Sequence, residues 1–296
     1  MKVKTLIYEK SSKSRDPYVL NYQNKYYYCF SRDDKIYICV SASLDDLNQA
    51  KEYTVYENLE GYKNLWAPEL HIINNCCYIY VACDDGTNEN HRMYVLSNHS
   101  DNPLNVYKNY GIISDVTNKW AIDGTVWQYN NELYFIWSGC DKDIHFKQEL
   151  FIAKMKDPFT ISSEKVLISS PEYLWERNGG DGKNLAFINE GPAILDYNNK
   201  IYIAYSASGC WCKDYCIGLL ELVDKNNPLS AKSWKKYNKP ILSTKQNLIG
   251  PGHCCFTKGN NNEMYMAFHS FYDDILDLSN VNARYINLDD LLKDWK

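Results

Sequence analysis

The sequence lacks an apolar run long enough to cross a bilayer. Its longest runs, such as residues 133–137, have the length of a β-strand, whereas a membrane helix needs about 20 apolar residues. No block of Lys or Arg stands out in this chain of 296 residues, whose formal net charge is −5. We therefore expect no nucleic-acid partner and no membrane partner, while a neutral or polymeric sugar is compatible with this charge.

Two further absences concern the N-terminus and the cysteines. The first 20 residues lack the apolar segment and small-residue cleavage site of a signal peptide, so either the protein stays inside the cell or a signal has been removed. The eleven cysteines lack the paired C-x-x-C spacing of a structural zinc site. We interpret the adjacent pairs Cys76-Cys77 and Cys254-Cys255 as small apolar residues of strands, where neighbours face opposite sides.

Tyrosine, by contrast, is abundant, and a short phrase built around it occurs five times. The phrase is Asn, two variable residues, Tyr, and an apolar run that ends on a small or polar residue. It begins at Asn24, Asn75, Asn131, Asn199 and Asn262. Its tyrosines follow one another at intervals of 51, 56, 68 and 63 residues. Such a unit, rich in alternating β-branched and aromatic residues, suits a four-stranded propeller blade better than a helical repeat.

A second repeat supports blades. Turns of Asp or Asn, often with Pro, and then Leu or Phe occur at residues 45–47, 101–104, 157–159, 227–229 and 289–291. We predict an all-β fold, one five-bladed β-propeller domain over residues 1–296, with little helix. Residues 2–8 are expected to supply the outer strand of the last blade and close the ring. Inserts near 83–91, 140–148, 170–189 and 207–215 should shape a binding mouth.

One ionisable residue precedes each tyrosine phrase. These residues are Asp16, Glu69, Asp123, Glu190 and His253. Because the first strand of each propeller blade lies nearest the axis, we expect the five side chains to converge on one funnel. A single buried carboxylate is more often a cap or turn residue, but three at matching places favour function. Glycoside hydrolysis needs such a set: one acid donates a proton, another activates water or attacks, and a third raises the donor's pKa by repulsion.

Six motifs carry a family resemblance. They are RDPYVL at 15–20, WAPELH at 66–71, WAIDGTV at 120–126, INEGPAIL at 188–195, YSASG at 205–209 and GPGH at 250–253. In this order, over nearly the whole chain, they resemble glycoside hydrolase family 43. The resemblance implies a five-bladed propeller that hydrolyses arabinofuranosidic or xylosidic bonds with inversion. It also implies that Asp16 is the general base, Asp123 tunes the pKa and orients the substrate, and Glu190 is the general acid.

The motifs are most similar to the α-L-arabinofuranosidase branch, which implies an arabinan or arabinoxylan polysaccharide, or its oligomers, as substrate. β-Xylosidase and arabinanase activities stay open, because loop shape decides between them. Trp66, Glu69 and His71 lie on the predicted second inner strand, so we expect them to line the sugar pocket, with Trp66 as its hydrophobic wall. Arg284 resembles a late family arginine that reaches a sugar hydroxyl, with a surface ion pair as the alternative.

The family resemblance implies no required cofactor but suggests a calcium ion on the propeller axis near His253. A lone imidazole is a soft ligand for a hard cation, so the ion would be held through water. The alternative is a histidine hydrogen-bonded in the floor of the site. The chain departs from the family pattern after GPGH, where Cys254 and Cys255 replace polar residues.

Two other functions are compatible with the sequence. A non-catalytic propeller that binds carbohydrate or docks a protein explains the fold and the aromatics, but not three acids on inner strands. The Arg15-Asp16-Pro17 segment also resembles fructan-cleaving five-bladed hydrolases, which retain configuration. In those enzymes, however, the motif belongs to a middle blade and the acid precedes Cys, whereas here Glu190 precedes Gly191. A monomeric protein is expected.

Overall fold

Strands dominate the computed structural model, which describes residues 2–8, 12–141, 147–180, 185–273 and 276–295. The described strands form five antiparallel blades. Inner strands of successive blades contact one another around the whole ring, including the last with the first. A short parallel pairing of residues 147–148 with 187–188 links the third blade to the fourth. The prediction of a five-bladed β-propeller is confirmed.

The strand bounds, from the inner to the outer edge of each blade, are as follows. Blade 1 contains β2 Tyr18–Tyr22, β3 Lys25–Arg32, β4 Lys35–Ser41 and β5 Glu52–Glu57. Blade 2 contains β6 Lys63–Ile73, β7 Cys76–Asp84, β8 Arg92–Ser97 and β9 Lys108–Ile112. Blade 3 contains β10 Ala121–Tyr129, β11 Glu132–Gly139 and β12 Lys147–Asp157, with β13 Thr160–Ile161 and β14 Val166–Ser169 at its edge. Blade 4 contains β15 Phe187–Tyr197, β16 Lys200–Ala207, β17 Cys216–Leu222 and β18 Trp234–Lys236. Blade 5 contains β19 Ile249–Lys258, β20 Met264–Phe271, β21 Val281–Asn287 and β1 Val3–Ile7.

The two ends of the chain meet in blade 5. Strand β1 pairs antiparallel with β21, with Val3 opposite Ile286 and Lys4 opposite Tyr285. This pairing closes the ring and confirms the predicted role of residues 2–8. The last Asp-Asp-Leu turn was predicted wrongly, because residues 289–291 lie inside an α-helix, α1 Leu288–Trp295, rather than between strands.

The described helical structure is otherwise confined to short 3₁₀ turns. They are Ser12–Ser14, Leu44–Gln49, Asn88–Asn90, Leu174–Glu176 and Ala231–Ser233. Within the described ranges, none of the helices has the length and apolar character needed to cross a membrane.

Backbone geometry explains why Asn begins each tyrosine phrase. In the first four blades the Asn and the residue before it both adopt positive φ, as in the pair Asn198 (51°) and Asn199 (59°). Two successive left-handed residues form the tight hairpin between the first and second strands, and Asn tolerates that conformation better than most residues. In blade 5, Asn262 alone (64°) has this conformation. The repeated Asn is therefore a hairpin signal.

The core is divided into five hydrophobic clusters, each between two neighbouring blades. The first and last blades share one of them, in which Leu6 and Ile7 of β1 pack beside Val19 of β2. Cys254 and Cys255 belong to different clusters, so they face opposite sides of β19 as predicted. All eleven cysteines are thiols. Burying apolar surface between every pair of blades holds the ring together around its axis.

Candidate active site

Each inner strand has a backbone irregularity at an equivalent place near its start. Five residues there have positive φ: Asp16 (45°), Ala67 (45°), Asp123 (54°), Gly191 (55°) and His253 (45°). In blades 2 to 5 the pairing of the first and second strands shifts register at this point, as expected for β-bulges. Such bulges redirect side chains, and left-handed L-residues cost free energy that functional sites often store.

The bulges correct one detail of the predicted alignment. At the equivalent positions of blades 2 and 4 the structure has Ala67 and Gly191, not Glu69 and Glu190. Glu190 lies one residue before the bulge, and Glu69 lies two residues after it. Asp16, Asp123 and His253 therefore occupy strictly equivalent positive-φ positions. Glu190 lies one residue before the corresponding position of its own strand.

A cavity of about 750 Å³ opens at the start of the inner strands. Its lining comes from all five blades and includes Asp16, Trp66, Asp123, Glu190 and His253. Further lining residues are Arg15, Asn88, Trp120, Ile122, Gln148, Gly179, Gly180, Ala186, Phe187, Ile188, Cys210, Trp211, Tyr215 and Leu278. The three predicted catalytic carboxylates thus share one cavity, although they come from blades 1, 3 and 4.

Asp123 is tied to the strand that carries Glu190. The backbone N–H of Gly191 donates to Asp123 Oδ2 over 3.0 Å, and Asp123 is only 6% exposed. Gly191 also lies against the ring of His253, because a Cβ at this position would lie 3.2 Å from His253 Nδ1. A positive φ and this close approach together explain the glycine after Glu190.

Asp16 contacts two histidine rings. Its Oδ1 lies 3.4 Å from His253 Nδ1 and 3.3 Å from His269 Nδ1, and its backbone N–H donates to His269 Nδ1. Burial opposes ionisation of Asp16, but the His253 ring, the contact with His269 and the charge of Arg15 outweigh it and hold the pKa of Asp16 well below its usual range. Asp16 is therefore ionised at any ordinary pH.

Glu190 is held in the opposite state. Burial and then the negative charge of Asp123 raise the pKa of Glu190 to about 8, although the Tyr215 hydroxyl, which donates to Glu190 Oε1 over 2.8 Å, lowers it. The sequence predicted repulsion by a third acid as the cause, whereas burial contributes more than repulsion. Glu190 is protonated at neutral pH and can donate a proton.

Asp123 and His253 influence each other's pKa. Burial, despite the nearby His253, raises the pKa of Asp123 to about 6. Burial disfavours the charged ring of His253, but the carboxylates of Asp16 and Asp123 outweigh this effect and raise its pKa. His253 Nδ1 lies 3.9 Å from Asp123 Oδ2, so one imidazolium is shared by two carboxylates. Near pH 7 the cavity combines ionised Asp16 and Asp123 with protonated Glu190.

Comparison with known proteins agrees with this geometry. A sequence model of the glycosyl hydrolases family 43 matches residues 10–285. The chain belongs to glycosyl hydrolase family 43. This confirms the resemblance carried by the six motifs.

Relatives within family 43 share most of this chain. It is 31% identical over 257 residues to an extracellular exo-α-(1→5)-L-arabinofuranosidase of Streptomyces avermitilis, covering 83% of this chain and 52% of that protein. It is 32% identical over 252 residues to α-L-arabinofuranosidase 43 of Humicola insolens, covering 82% and 51%. The chain therefore spans about half the length of these curated relatives. A crystal structure of an α-L-arabinofuranosidase from Lactobacillus brevis superposes with a TM-score of 0.84 at 26% identity, covering 95% of this chain and 92% of that one.

Trp66 lines the active-site cavity, and its ring rests on a buried contact between a histidine and a carboxylate. The ring of His91 stacks beneath Trp66 with 3.9 Å between ring centroids. His91 Nδ1 lies 3.0 Å from Asp84 Oδ2, and both side chains are fully buried. Asn64 donates to both carboxylate oxygens of Asp84. Sequence reasoning singled out Trp66 but missed this support, since nothing local marks His91 as its neighbour.

The other predicted sugar-binding residues lie outside the described lining of the cavity. Glu69 Oε2 lies 2.8 Å from His71 Nε2, and this buried pair contacts Tyr18, further along the inner strands. Arg284 lies on β21, and its Nε is buried without a hydrogen-bond partner. Among the described residues Arg284 has no ion-pair partner, and the alternative of a surface ion pair stays open. Direct sugar contact by these three residues stays a prediction.

The proposed ion site near His253 has few suitable ligands. Among the described ranges, no group of three or more His, Cys, Asp or Glu side chains is arranged to hold a metal ion. His253 Nδ1 faces the carboxylates of Asp16 and Asp123, at 3.4 Å and 3.9 Å. The backbone N–H of His253 donates to Ser206 Oγ over 2.6 Å, as expected for a histidine in the floor of the site.

Proposed function

We propose that this family 43 chain releases L-arabinofuranose from arabinan- or arabinoxylan-type polysaccharides or their oligomers by single-step, inverting hydrolysis. The observation that carries the proposal is the opposite ionisation of two carboxyls in one cavity, with the pKa of Asp16 strongly lowered and that of Glu190 raised to about 8. An enzyme that protonates a leaving group while activating water needs such a pair. A binding propeller has no need of it. The arabinofuranosidase names of the relatives support the choice of sugar.

In the proposed reaction Glu190 donates its proton to the glycosidic oxygen as the bond to the sugar breaks. Asp16 accepts a proton from the water that attacks the opposite face of the sugar. A base of low pKa is weak, but the sugar carbon is electron-poor in the oxocarbenium-like transition state, so the attacking water gives up its proton readily. Asp123 raises the pKa of Glu190 and fixes the adjacent backbone at Gly191.

A substrate screen with one variant tests the activity. The purified protein should hydrolyse an aryl α-L-arabinofuranoside and short arabinan oligomers faster than an aryl β-xyloside or xylan oligomers. Asp16→Asn should lower kcat by about 10²–10⁴-fold because the general base is lost. Exposed Asp46 is a matched control, because Asp46→Asn removes the same charge outside the cavity. Near wild-type turnover in the Asp16 variant would refute the assignment.

The stereochemical outcome tests the mechanism separately. Inverting enzymes keep their two carboxyl groups about 6.5–9.5 Å apart to leave room for water, whereas retaining enzymes bring them to about 5–5.5 Å. Asp16 and Glu190 come from blades 1 and 4, and Asp16 contacts His253 rather than Glu190. Proton NMR of the first product, taken before mutarotation, should show the inverted anomer. A retained anomer would favour the fructanase-like alternative.

We also keep a calcium ion on the axis near His253 as a proposal. The described residues contain no group of three or more His, Cys, Asp or Glu side chains arranged to hold the ion, so it would be bound through water. No step of the proposed reaction depends on it. Chelation is the direct test, and it is included among the predictions below.

A further inference from the structure

Trp211 is an exposed aromatic residue at the edge of the cavity. It lies in the loop between β16 and β17, is 49% exposed, and lines the cavity together with Glu190 and Tyr215. None of the proposed catalytic steps uses it. A large apolar ring left half in water beside a binding cavity points to a ligand that covers it.

The Trp211 ring is held in one orientation before any ligand binds. Its Nε1–H donates to the backbone oxygen of Gly179 over 2.7 Å. One side of the ring lies directly on Gly209, where a Cβ would come within 2.6 Å of ring atom Cε2. The backbone N–H of Gly209 donates in turn to the carbonyl of Asn178 over 2.9 Å. Because the ring is already fixed, little conformational entropy is lost when a ligand stacks on it.

The loop that carries Trp211 also contacts the proposed acid. Tyr215, four residues later, donates to Glu190 Oε1 over 2.8 Å. A general acid protonates the oxygen of the departing sugar, so that sugar lies on the Glu190 side of the cavity. Trp66 lines the same cavity, and it also lines a smaller adjoining cavity of about 290 Å³ together with the proposed base Asp16. Trp66 is thus associated with the base, and Trp211 with the acid.

We propose that Trp211 is the platform on which the leaving-group sugar stacks, which makes it a specificity-determining residue for oligosaccharide substrates. Sugar rings present apolar C–H faces that pack on indole, whose area and rigidity suit such contacts. The inference rests on the proposed function, since it takes Glu190 as the acid. Trp211 should matter when the leaving group is a sugar and matter little when the leaving group has no ring.

Two substrates separate these cases. An arabinan oligomer carries a sugar as leaving group, whereas in α-L-arabinofuranosyl fluoride the C–F bond breaks and fluoride departs without a ring. In both reactions a water oxygen bonds to the sugar carbon and gives its proton to Asp16. Trp211→Ala should lower kcat/KM for the oligomer about tenfold, mainly through KM, and change it less than about twofold for the fluoride.

Two more variants complete the test. Gly209→Ala should reproduce the selective loss with the tryptophan still present, because the new Cβ displaces the ring. Leu174→Ala is the control, since Leu174 is 80% exposed and does not line the cavity, and it should change neither rate. Equal losses on both substrates in the Trp211 and Gly209 variants, or undiminished oligomer hydrolysis, would overturn the platform. A wild-type protein inactive on both substrates would overturn the proposed function itself.

Discussion

Replacing Asp123 with asparagine tests how the acid keeps its proton. Glu190 has a pKa of about 8 because it is buried and, second, because Asp123 is negative. The amide of the Asp123→Asn variant would keep the size of the side chain and an oxygen for the N–H of Gly191, but not the charge. A like charge at short range is worth about 1–2 pKa units, and burial stays. The pKa of Glu190 should therefore fall by about that amount and still lie above its ordinary value.

The measurement is the pH dependence of kcat/KM, which reports the pKa values of the free enzyme. A substrate with a poor leaving group, such as an arabinan oligomer, makes the rate depend on the proton of Glu190. The alkaline limb of the wild-type profile should lie near the pKa of Glu190, about 8, where the acid ionises and activity is lost. In Asp123→Asn that limb should move to lower pH by about 1–2 units.

Asp115→Asn provides a matched control. Asp115 is also a buried acid, but it pairs with Lys165 outside the active-site cavity, so the alkaline limb should stay where it is. An Asp123 variant with an unmoved alkaline limb would show that burial alone sets the pKa of Glu190. A limb that moves to higher pH would contradict the assignment of Glu190 as the acid.

The remaining predictions concern the acid, the ion and the domain. Glu190→Gln should slow arabinan oligomers far more than aryl arabinofuranosides, whose leaving groups need little protonation, and equal losses would argue for a structural role. Folding raises the pKa of Glu190 to about 8, so the folded state loses stability as pH rises from the ordinary glutamate pKa towards 8. Glu190→Gln removes this loss and should raise the free energy of unfolding by about 1–3 kcal/mol at pH 7 in denaturant titrations. Near pH 4, where Glu190 is protonated in both states, the variant should bring no gain. Removing calcium with EDTA should lower the thermal midpoint and added calcium should restore it, whereas an unchanged midpoint would contradict an ion near His253. Limited proteolysis should leave one stable core over the chain, and two independently stable halves would contradict a single domain.

The fold could be predicted from the sequence because its signals are local. Asn199 marks a hairpin through its own backbone conformation, and the tyrosine after it lies at a fixed place on the second strand. The N-terminal stretch Val3–Ile7 could be matched to the missing outer strand of the last blade by counting strands. The exception, residues 289–291, shows the limit of this reasoning, since the same Asp-Asp-Leu sequence can begin a helix when no further strand follows.

The site could be predicted only in part, because its geometry depends on contacts between blades. The motifs identified Asp16, Asp123 and Glu190, and the structure brings all three to one cavity. Spacing alone did not show that Gly191 rather than Glu190 occupies the bulge, since an offset of one residue does not change a repeat pattern. The balance between burial and repulsion at Glu190 depends on its surroundings in three dimensions.

The residues that sequence reasoning missed come from loops or second strands. Tyr215 lies in an insert, His269 lies on β20, and His91 follows a 3₁₀ turn, yet they contact Glu190, Asp16 and Trp66, respectively. Their partners are distant in sequence and no pattern links them. Sequence reasoning also missed Trp211, although its place in the predicted mouth insert 207–215 was an available signal, since a tryptophan in such a loop is rarely there for the core.

The local rules of β-strands fail at the same few positions where function is proposed. Asp123 is a charge in an apolar strand, it has a left-handed backbone, and its pKa is raised to about 6 by burial. Each of these features costs free energy, and hydrophobic packing between the blades must offset the sum. A strand that carried the buried charge without purpose would be stabilised by its removal. Their coincidence at the starts of inner strands, around one cavity, is therefore the strongest physical argument that the acids are kept for chemistry rather than for the fold.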